Sequence, residues 1–496
     1  MNMAQHIREH QLELVRFVWC DLHGMTRGKT LTASAAIKAL DNGVGMVSTA
    51  MLKDTSDRTV FKVFEANIAT DLPGFEYANT LTLHPITSTF KILPWAHKTG
   101  WVQCQPAFPN GEWVPYDTRY QLIHALNKLS QHGLGMVCGL EIEFHIYKLR
   151  DPVHGENLDP DLAAWPGPSP RVSLIHPGFS LLSETCVDMA EEPLRIVQHT
   201  AQALGLPLLS LEVEFGPSQV EAVFDATDAL TAADNMVLFR SAVKQALRRA
   251  GYHATFMCRP PFAHIMSSGW HLHQSLVHLS DGSNAMMRDT TASATHTSPS
   301  NAMHSLSDVG AHYLAGLLAH APAMTALSTP TVNGYGRFQP NALAPQSAVW
   351  GRDNRGAMLR VIGQAGDTDT RIENRLGEPA ANPYLYMASQ IHAGLNGIEQ
   401  QLTPGPSTDS PYTKQHSHTD EVDDTAALET AHTPNHQIPS NLQAALQALQ
   451  SDTVMCDGFG EAFVHYYARI KASEYQRFQA AQDTDEFQRR EYFARI

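Results

Sequence analysis

Three stretches of alternating sequence place acids and imidazoles on one face of a strand. In residues 139–147, Glu141, Glu143 and His145 alternate with Ile142, Phe144 and Ile146, and successive strand side chains point to opposite faces. Residues 210–224 repeat the pattern with Glu212 and Glu214, and Glu221 follows just past a Gly-Pro turn. In residues 267–276, His271, His273 and Ser275 share a face; further on, Glu373 stands between Arg371 and Arg375. A polar face turned to water accounts for any one of these strands. Three together are costly, because crowded carboxylates repel and one takes up a proton unless a cation neutralises them. Five carboxylates and an imidazole suit two hard cations, Mg²⁺ or Mn²⁺, better than zinc, and paired ions suit phosphoryl transfer. The chain has no GxxxxGK[ST] loop. The phosphate ligands are therefore sought among Arg337, Arg355, Arg360, Arg371 and Arg375, whose guanidinium groups match phosphate and carboxylate bidentately.

The elements that must position these residues read as an α+β chain. Strand-like runs with turn signals fill residues 1–112, which predicts a small β-rich N-terminal domain ending near Asn110-Gly111, and a larger catalytic domain over 113–496. Asp117 is the expected N-cap of a helix that stops at Gly133. Further helices are expected near 190–204, 228–250, 307–327 and 459–480, and strands near 207–215, 252–258 and 269–279. Residues 281–308 and 404–438 are polar and poor in large apolar side chains, so both read as exposed, mobile insertions.

Composition narrows the function. The 496 residues are 43% apolar and 17% charged, which excludes a largely disordered chain. With 35 Lys and Arg against 50 Asp and Glu, the net charge of −15 disfavours nucleic acid as a partner. No stretch approaches the roughly 20 apolar residues of a membrane span. Six scattered cysteines without a CxxC pair suit a reduced, cytoplasmic setting.

Several ordered motifs carry a resemblance: GLEIEFHIY, EFGPSQVE, SSGWHLHQSL, NGYGRFQPNALAPQSAVWGRDNRGAMLRV and RIENRLGEPAANPYLYMAS. Together with the N-terminal VRFVWCDLHGMTRGK and the C-terminal YYARIKASEYQRFQ, the chain resembles the glutamine synthetase family. The resemblance implies a β-grasp N-terminal domain, a catalytic domain on a curved antiparallel sheet with flanking helices, and a homo-oligomer of stacked, dodecamer-like rings. It implies ATP and two to three Mg²⁺ or Mn²⁺ ions, with glutamate and an amine as the other substrates. Carried over by position, Glu143, Glu214 and Glu221 would hold one ion, with Glu212 competing for the place of Glu214. Glu141, His271 and Glu373 would hold the second. His273, Ser275, Arg355 and Arg360 would contact ATP, while Arg337, Arg375 and Gly269 would bind glutamate. Arg337 and Arg355 are the expected catalytic pair, and residues 340–345 the lid.

The chain departs from the family in places. Leu343 stands where the lid usually carries a glutamate that binds and deprotonates ammonium. Met266-Ser267-Ser268-Gly269 replaces Asn-Gly-Ser-Gly, and the N-terminal acidic signature is unrecognisable, with Asp54 and Asp71 as the stand-ins. With Met266 and Trp270 nearby, Leu343 suggests an apolar wall. Such a wall penalises a cation by desolvation and favours a neutral body. The expected reaction is the joining of the γ-carboxylate of glutamate to an apolar or aromatic amine through γ-glutamyl phosphate, as in γ-glutamylanilide synthetases. The alternatives are a γ-glutamylpolyamine synthetase, a glutamine synthetase using ammonia and, least favoured, a non-catalytic relative.

Overall fold

The computed structural model describes residues 3–65, 67–150, 163–289, 305–339, 342–412 and 437–496. Two sheets organise the chain. The first holds β1 (Leu14–Cys20), β2 (Thr26–Thr32), β3 (Val44–Val47), β4 (Thr80–Pro85), β5 (Lys91–Ile92) and β6 (Thr99–Ala107) in the order β2-β1-β6-β4-β3, with β5 beside β6. β1 and β6 run parallel, and β6 is buried along its whole length.

The second sheet holds β7 (Leu134–Leu149), β8 (Val172–Leu174), β9 (Leu208–Val213), β10 (Gln219–Asp228), β11 (Tyr252–Thr255), β12 (Trp270–His278), β13 (Trp350–Arg352), β14 (Leu359–Ile362) and β15 (Arg371–Gly377). Its order is β13-β14-β15-β12-β7-β10-β9, antiparallel except between β13 and β14. β7 is the long central strand. Its first half pairs with β12, and its second half passes to β11 and β8, which curls the sheet. The register sets the functional residues across the strands: Glu221 is opposite both Glu143 and Glu212, His271 opposite Glu141, and Glu373 opposite both His273 and Arg360.

The other face of β7 is core. Phe144 stacks on Phe256 at 4.9 Å and meets Phe239 edge-on, and Phe239 lies on the helix Ala229–Arg249. The expected Asp117 cap forms, its carboxylate accepting from Tyr120 N over the helix Thr118–Gln131. The single helix expected over 307–327 is two, Asp308–Ala319 and Ala321–Ser328. Pro322 sits in the first turn of the second, where its missing N–H is harmless. His320 at the break bonds Asp452 at 2.7 Å and Asn396 at 3.0 Å. The buried helix Pro383–Glu399 joins the two sheets: at its N-cap, Asn382 Nδ2 donates to the Asp21 carbonyl at 2.9 Å.

Both expected insertions start from bonded structure. Ala285 N donates to Leu276 O on β12 at 2.8 Å, and Thr408 N to Trp350 O on β13 at 2.9 Å. The first also ends in it: Ala285, Met286, Ser305 and Leu306 are buried and Ser307 caps the helix Asp308–Ala319, so these flanks are not the exposed chain expected. Residues 290–304 and 413–436, on which the rest of that expectation falls, lie outside the described residues. Among the described residues no helix is long and apolar enough to cross a membrane.

Candidate active site

The row of aligned residues has two ends of different chemistry. At the arginine end, Glu373 is fully buried, with Arg360 Nη1 on one oxygen at 2.9 Å and Arg375 Nη1 on the other. Burial pulls its carboxyl up, but His271, Arg375, His273 and Arg360 outweigh burial and hold it at about 2. Glu141 lies between two imidazoles, 3.3 Å from His271 Nδ1 and 3.0 Å from His273 Nε2. They outweigh its burial and hold it well below the usual carboxylate range.

His271 Nδ1 is the hub. It stands 3.9 Å from Glu221 and 3.9 Å from Glu373, besides Glu141. Burial, with Arg375 adding to it, pushes the ring down to about 4, so it is neutral near pH 7 with a lone pair to offer. Arg371 gives His273 a different character. Its Nε donates to His273 Nδ1 at 3.0 Å. An arginine cannot accept, so the lone pair on His273 Nδ1 takes this bond, while Nε2 stands 3.0 Å from a Glu141 oxygen without a hydrogen-bond partner.

At the acid end, Glu143, Glu212, Glu214 and Glu221 gather, and among the described residues none pairs with a lysine or arginine. Burial, then the charges of Glu143, Glu141, Glu214 and Glu212, push Glu221 up to about 10. Its Oε1 is buried and has no hydrogen-bond partner. Glu143 is pushed up to about 7 by burial and then Glu214, and Glu214 is raised by burial. Glu143 is held in place by Gly269 N at 2.6 Å and Gln219 Nε2 at 3.3 Å. Gln219 also donates to Ser268 Oγ at 3.0 Å and accepts from Gly216 N at 2.9 Å. Three ligand groups lie close enough to share an ion: Glu141–Glu221–His271, Glu141–His273–Glu373 and Glu212–Glu214–Glu221. A buried, unpartnered carboxylate oxygen among like charges fits a hard divalent cation.

Arg337 is buried beneath Gly269; a Cβ on that glycine would stand 2.5 Å from Arg337 Nη2 and would displace the guanidinium. Its Nη1 donates to the carbonyls of Arg375 at 2.9 Å and Gly377 at 3.3 Å, and it makes no carboxylate ion pair among the described residues. Arg375 Nη2 donates to Leu343 O at 3.2 Å, and its Nε has no partner. Arg360 also chelates Asp353, while Arg355 is exposed on the loop before β14. Leu343 is 59% exposed; residues 340 and 341 of the expected lid lie outside the described residues.

Not every expected residue joins the row. Ser275 Oγ is engaged farther along β12, its one proton shared between Asn284 Oδ1 and Thr370 O at 3.1 Å each. Trp270 cannot wall the amine site: one residue out of phase with His271, it faces the core and packs edge-on against Tyr386 at 5.2 Å. Met266 is half-buried and packs against Gly216. Asp54 is enclosed, bonded by Ser56 and by Arg477 Nε at 3.0 Å, and Asp71 pairs with Arg469 at 3.4 Å. Gln219 was absent from the expected residues, and Arg371, expected only among the phosphate ligands, instead bonds His273. Gln219 was findable, since it shares a strand face with Glu221 two residues on.

Residues 115–490 match the glutamine synthetase catalytic domain. The chain is 36% identical to a gamma-glutamylanilide synthase of an Acinetobacter sp, covering 97% of this chain and 93% of that protein. It is 30% identical to a glutamate–isopropylamine ligase of a Pseudomonas sp over 82% of each, and 29% identical to a glutamine synthetase of Thermus thermophilus over 96% of this chain and 95% of that protein. Among solved structures, ligand-free GmaS matches with a TM-score of 0.75 at 27% identity over 97% of each chain.

Proposed function

The chain belongs to the glutamine synthetase family of ligases, and from that premise we propose that it joins glutamate to an apolar amine, aromatic amines such as aniline foremost. The family uses ATP, divalent metals, glutamate and an amine. The amine reading is carried by Leu343. Its carbonyl is tied to Arg375 while its side chain lies exposed at the rim, so an alkyl group, not an acid, meets the incoming nucleophile. An ammonium ion would lose hydration there without compensation. Aniline is neutral at pH 7 and needs no base to free its lone pair. The likeness to a gamma-glutamylanilide synthase supports the same choice.

In the reaction, a γ-carboxylate oxygen of glutamate attacks the γ-phosphorus of ATP and ADP leaves. The amine nitrogen then attacks the acyl carbon of γ-glutamyl phosphate, loses a proton, and phosphate departs with the former carboxylate oxygen. Arg337, which makes no carboxylate pair among the described residues, and Arg375, through its unpartnered Nε, bind glutamate against Gly269. Arg360 and Arg355 face the transferred phosphoryl group, and His273 lies along ATP, with Ser275 farther out. Glu143, Glu214 and Glu221 would hold one divalent ion, with Glu212 alongside, and Glu141, His271 and Glu373 a second. When bound, the ions neutralise phosphate oxygens. The lid keeps water from the acyl phosphate.

We further take 1–112 as a β-grasp-type domain and 113–496 as the catalytic domain of a cytoplasmic protein. Assembly into stacked rings is supported by a band of exposed apolar residues, among them Phe179, Leu181, Leu182 and Phe215. An ammonia or polyamine substrate is the second reading, favoured by the acids at Glu212 and Glu214.

The test measures ADP release with glutamate and Mg²⁺ across aniline, isopropylamine, putrescine, methylamine and ammonium. Aniline should exceed ammonium in kcat/KM by about tenfold or more, the worth of a few apolar contacts. A clear lead for ammonium or putrescine contradicts the reading. Leu343→Glu should lower aniline use and raise ammonium use.

A further inference from the structure

The polar segment after residue 403 opens as a strap along the edge of the second sheet. Trp350 Nε1 donates to Pro404 O at 3.2 Å, Thr408 N to Trp350 O at 2.9 Å, and Asn354 Nδ2 to Thr408 O at 3.1 Å. Two glycines, Gly351 on β13 and Gly356 on the loop after it, make room for it. A Cβ on Gly351 would stand 3.0 Å from Thr408 O, and one on Gly356 would stand 2.7 Å from Pro411 and 3.1 Å from the Tyr412 ring. These glycines flank Arg355. Within the described residues the strap ends at Tyr412, whose hydroxyl donates to Ala344 O at 3.3 Å.

The neighbouring carbonyl, that of Leu343, takes Arg375 Nη2. Two successive carbonyls of the lid turn are thus tied, one to a site arginine and one to the strap. Leu343 has a φ of 50°, in the left-handed region that a branched side chain resists. Such a turn persists only where its surroundings hold it. Burial raises the Tyr412 hydroxyl pKa, and the charges of Arg375 and Arg337 act against that rise.

We propose that Tyr412 is a positioning residue: its hydroxyl holds the Leu343–Ala344 turn against Arg375 and so sets which amines reach the acyl carbon and how well water is kept from it. This rests on the ligase reading above. No bond to substrate is involved; the effect passes through the turn. With the turn loosened, water attacks γ-glutamyl phosphate in place of the amine, giving glutamate and phosphate, so ADP is formed without amide.

The experiment compares wild type with Tyr412→Phe, which keeps the ring, and Tyr412→Ala, which removes it. Thermal melting confirms that each is folded. For aniline and ammonium, kcat and KM are measured, together with ADP and amide formed per turnover. Tyr412→Phe should lower the aniline-to-ammonium ratio of kcat/KM by about fivefold, the worth of one neutral hydrogen bond. It should also make ADP outrun amide, with the KM for ATP within about twofold of wild type. Tyr412→Ala should show both effects more strongly. If both variants lose activity equally toward the two amines with ADP and amide still matched, Tyr412 merely supports the fold and the proposal falls. Wild-type behaviour of both variants overturns it equally. If wild type forms amide with no amine, the ligase reading itself fails, and this inference with it.

Discussion

Carboxylates at the two ends of one row of site residues live under opposite regimes. Glu373 on β15 is enclosed by Arg360 and Arg375, so its charge is balanced before any ion or substrate arrives. Glu221 on β10 is nearly as buried, yet it faces Glu143, Glu141, Glu214 and Glu212 and keeps an oxygen without a partner. The same residue type is thus a structural anchor at one end and a stored repulsion at the other. The arginine end is preassembled by its ion pairs, and in the proposed reaction it receives phosphate and carboxylate. The acid end is held in tension by the fold, and a divalent cation relieves it. Catalysis and metal-free stability therefore oppose each other at the acid end and coincide at the arginine end.

The largest expected effect cuts across both ends. Glu143→Ala or Glu221→Ala should lower turnover by a factor on the order of 10³ while circular dichroism reports a folded chain, because the charge stabilisation at the phosphoryl group is lost. Near-normal rates in either variant would remove the acid end from the mechanism. Stability then separates the ends. Glu373→Gln leaves two buried guanidinium groups without their shared carboxylate, and should cost about 3 kcal/mol in urea unfolding with chelator present. An unchanged midpoint would mean the arginine end is not preassembled.

A pH scan reads the acid end. Glu221, pushed to about 10, and Glu143, pushed to about 7, hold protons in the folded protein that their 4.5-type unfolded counterparts have lost. Where the folded state binds more protons, stability falls as pH rises. The metal-free melting temperature should therefore drop by a few degrees from about pH 6 to pH 9, the steeper part below pH 7, where both groups contribute. Mg²⁺ should flatten the curve. Smallest is Glu221→Gln, which should stabilise the metal-free chain at pH 8 by about 1 kcal/mol, opposite in sign to Glu373→Gln. A loss there would erase the contrast between the ends.

Much of this site was legible because strands alternate. Period two put Glu141 and Glu143, His271 and His273, and Arg371, Glu373 and Arg375 on common faces, and pairing the strands in register made the row. The same rule places Trp270 in the core, which grouping it with Met266 and Leu343 as an apolar wall overlooked. Long-range contacts were not legible. The helix Pro383–Glu399 is buried on nearly every side, so it shows no amphipathic period; its only local signals were the Asn382 cap and Pro383. The break at His320 depends on Asp452 and Asn396, remote in sequence. Composition alone joined the bonded residues 404–412 to the polar run that follows, and concealed the reason for Gly351 and Gly356.

The most direct test follows the γ-carboxylate oxygen. Glutamate carrying oxygen-18 in both γ-carboxylate positions is incubated with ATP, Mg²⁺ and aniline, and the phosphate and amide are analysed by mass spectrometry. Ligation through γ-glutamyl phosphate predicts one labelled oxygen in phosphate for each amide formed, the other remaining in the amide carbonyl. Unlabelled phosphate alongside ADP, with no γ-glutamylanilide, would contradict the account and leave an ATP hydrolase in its place.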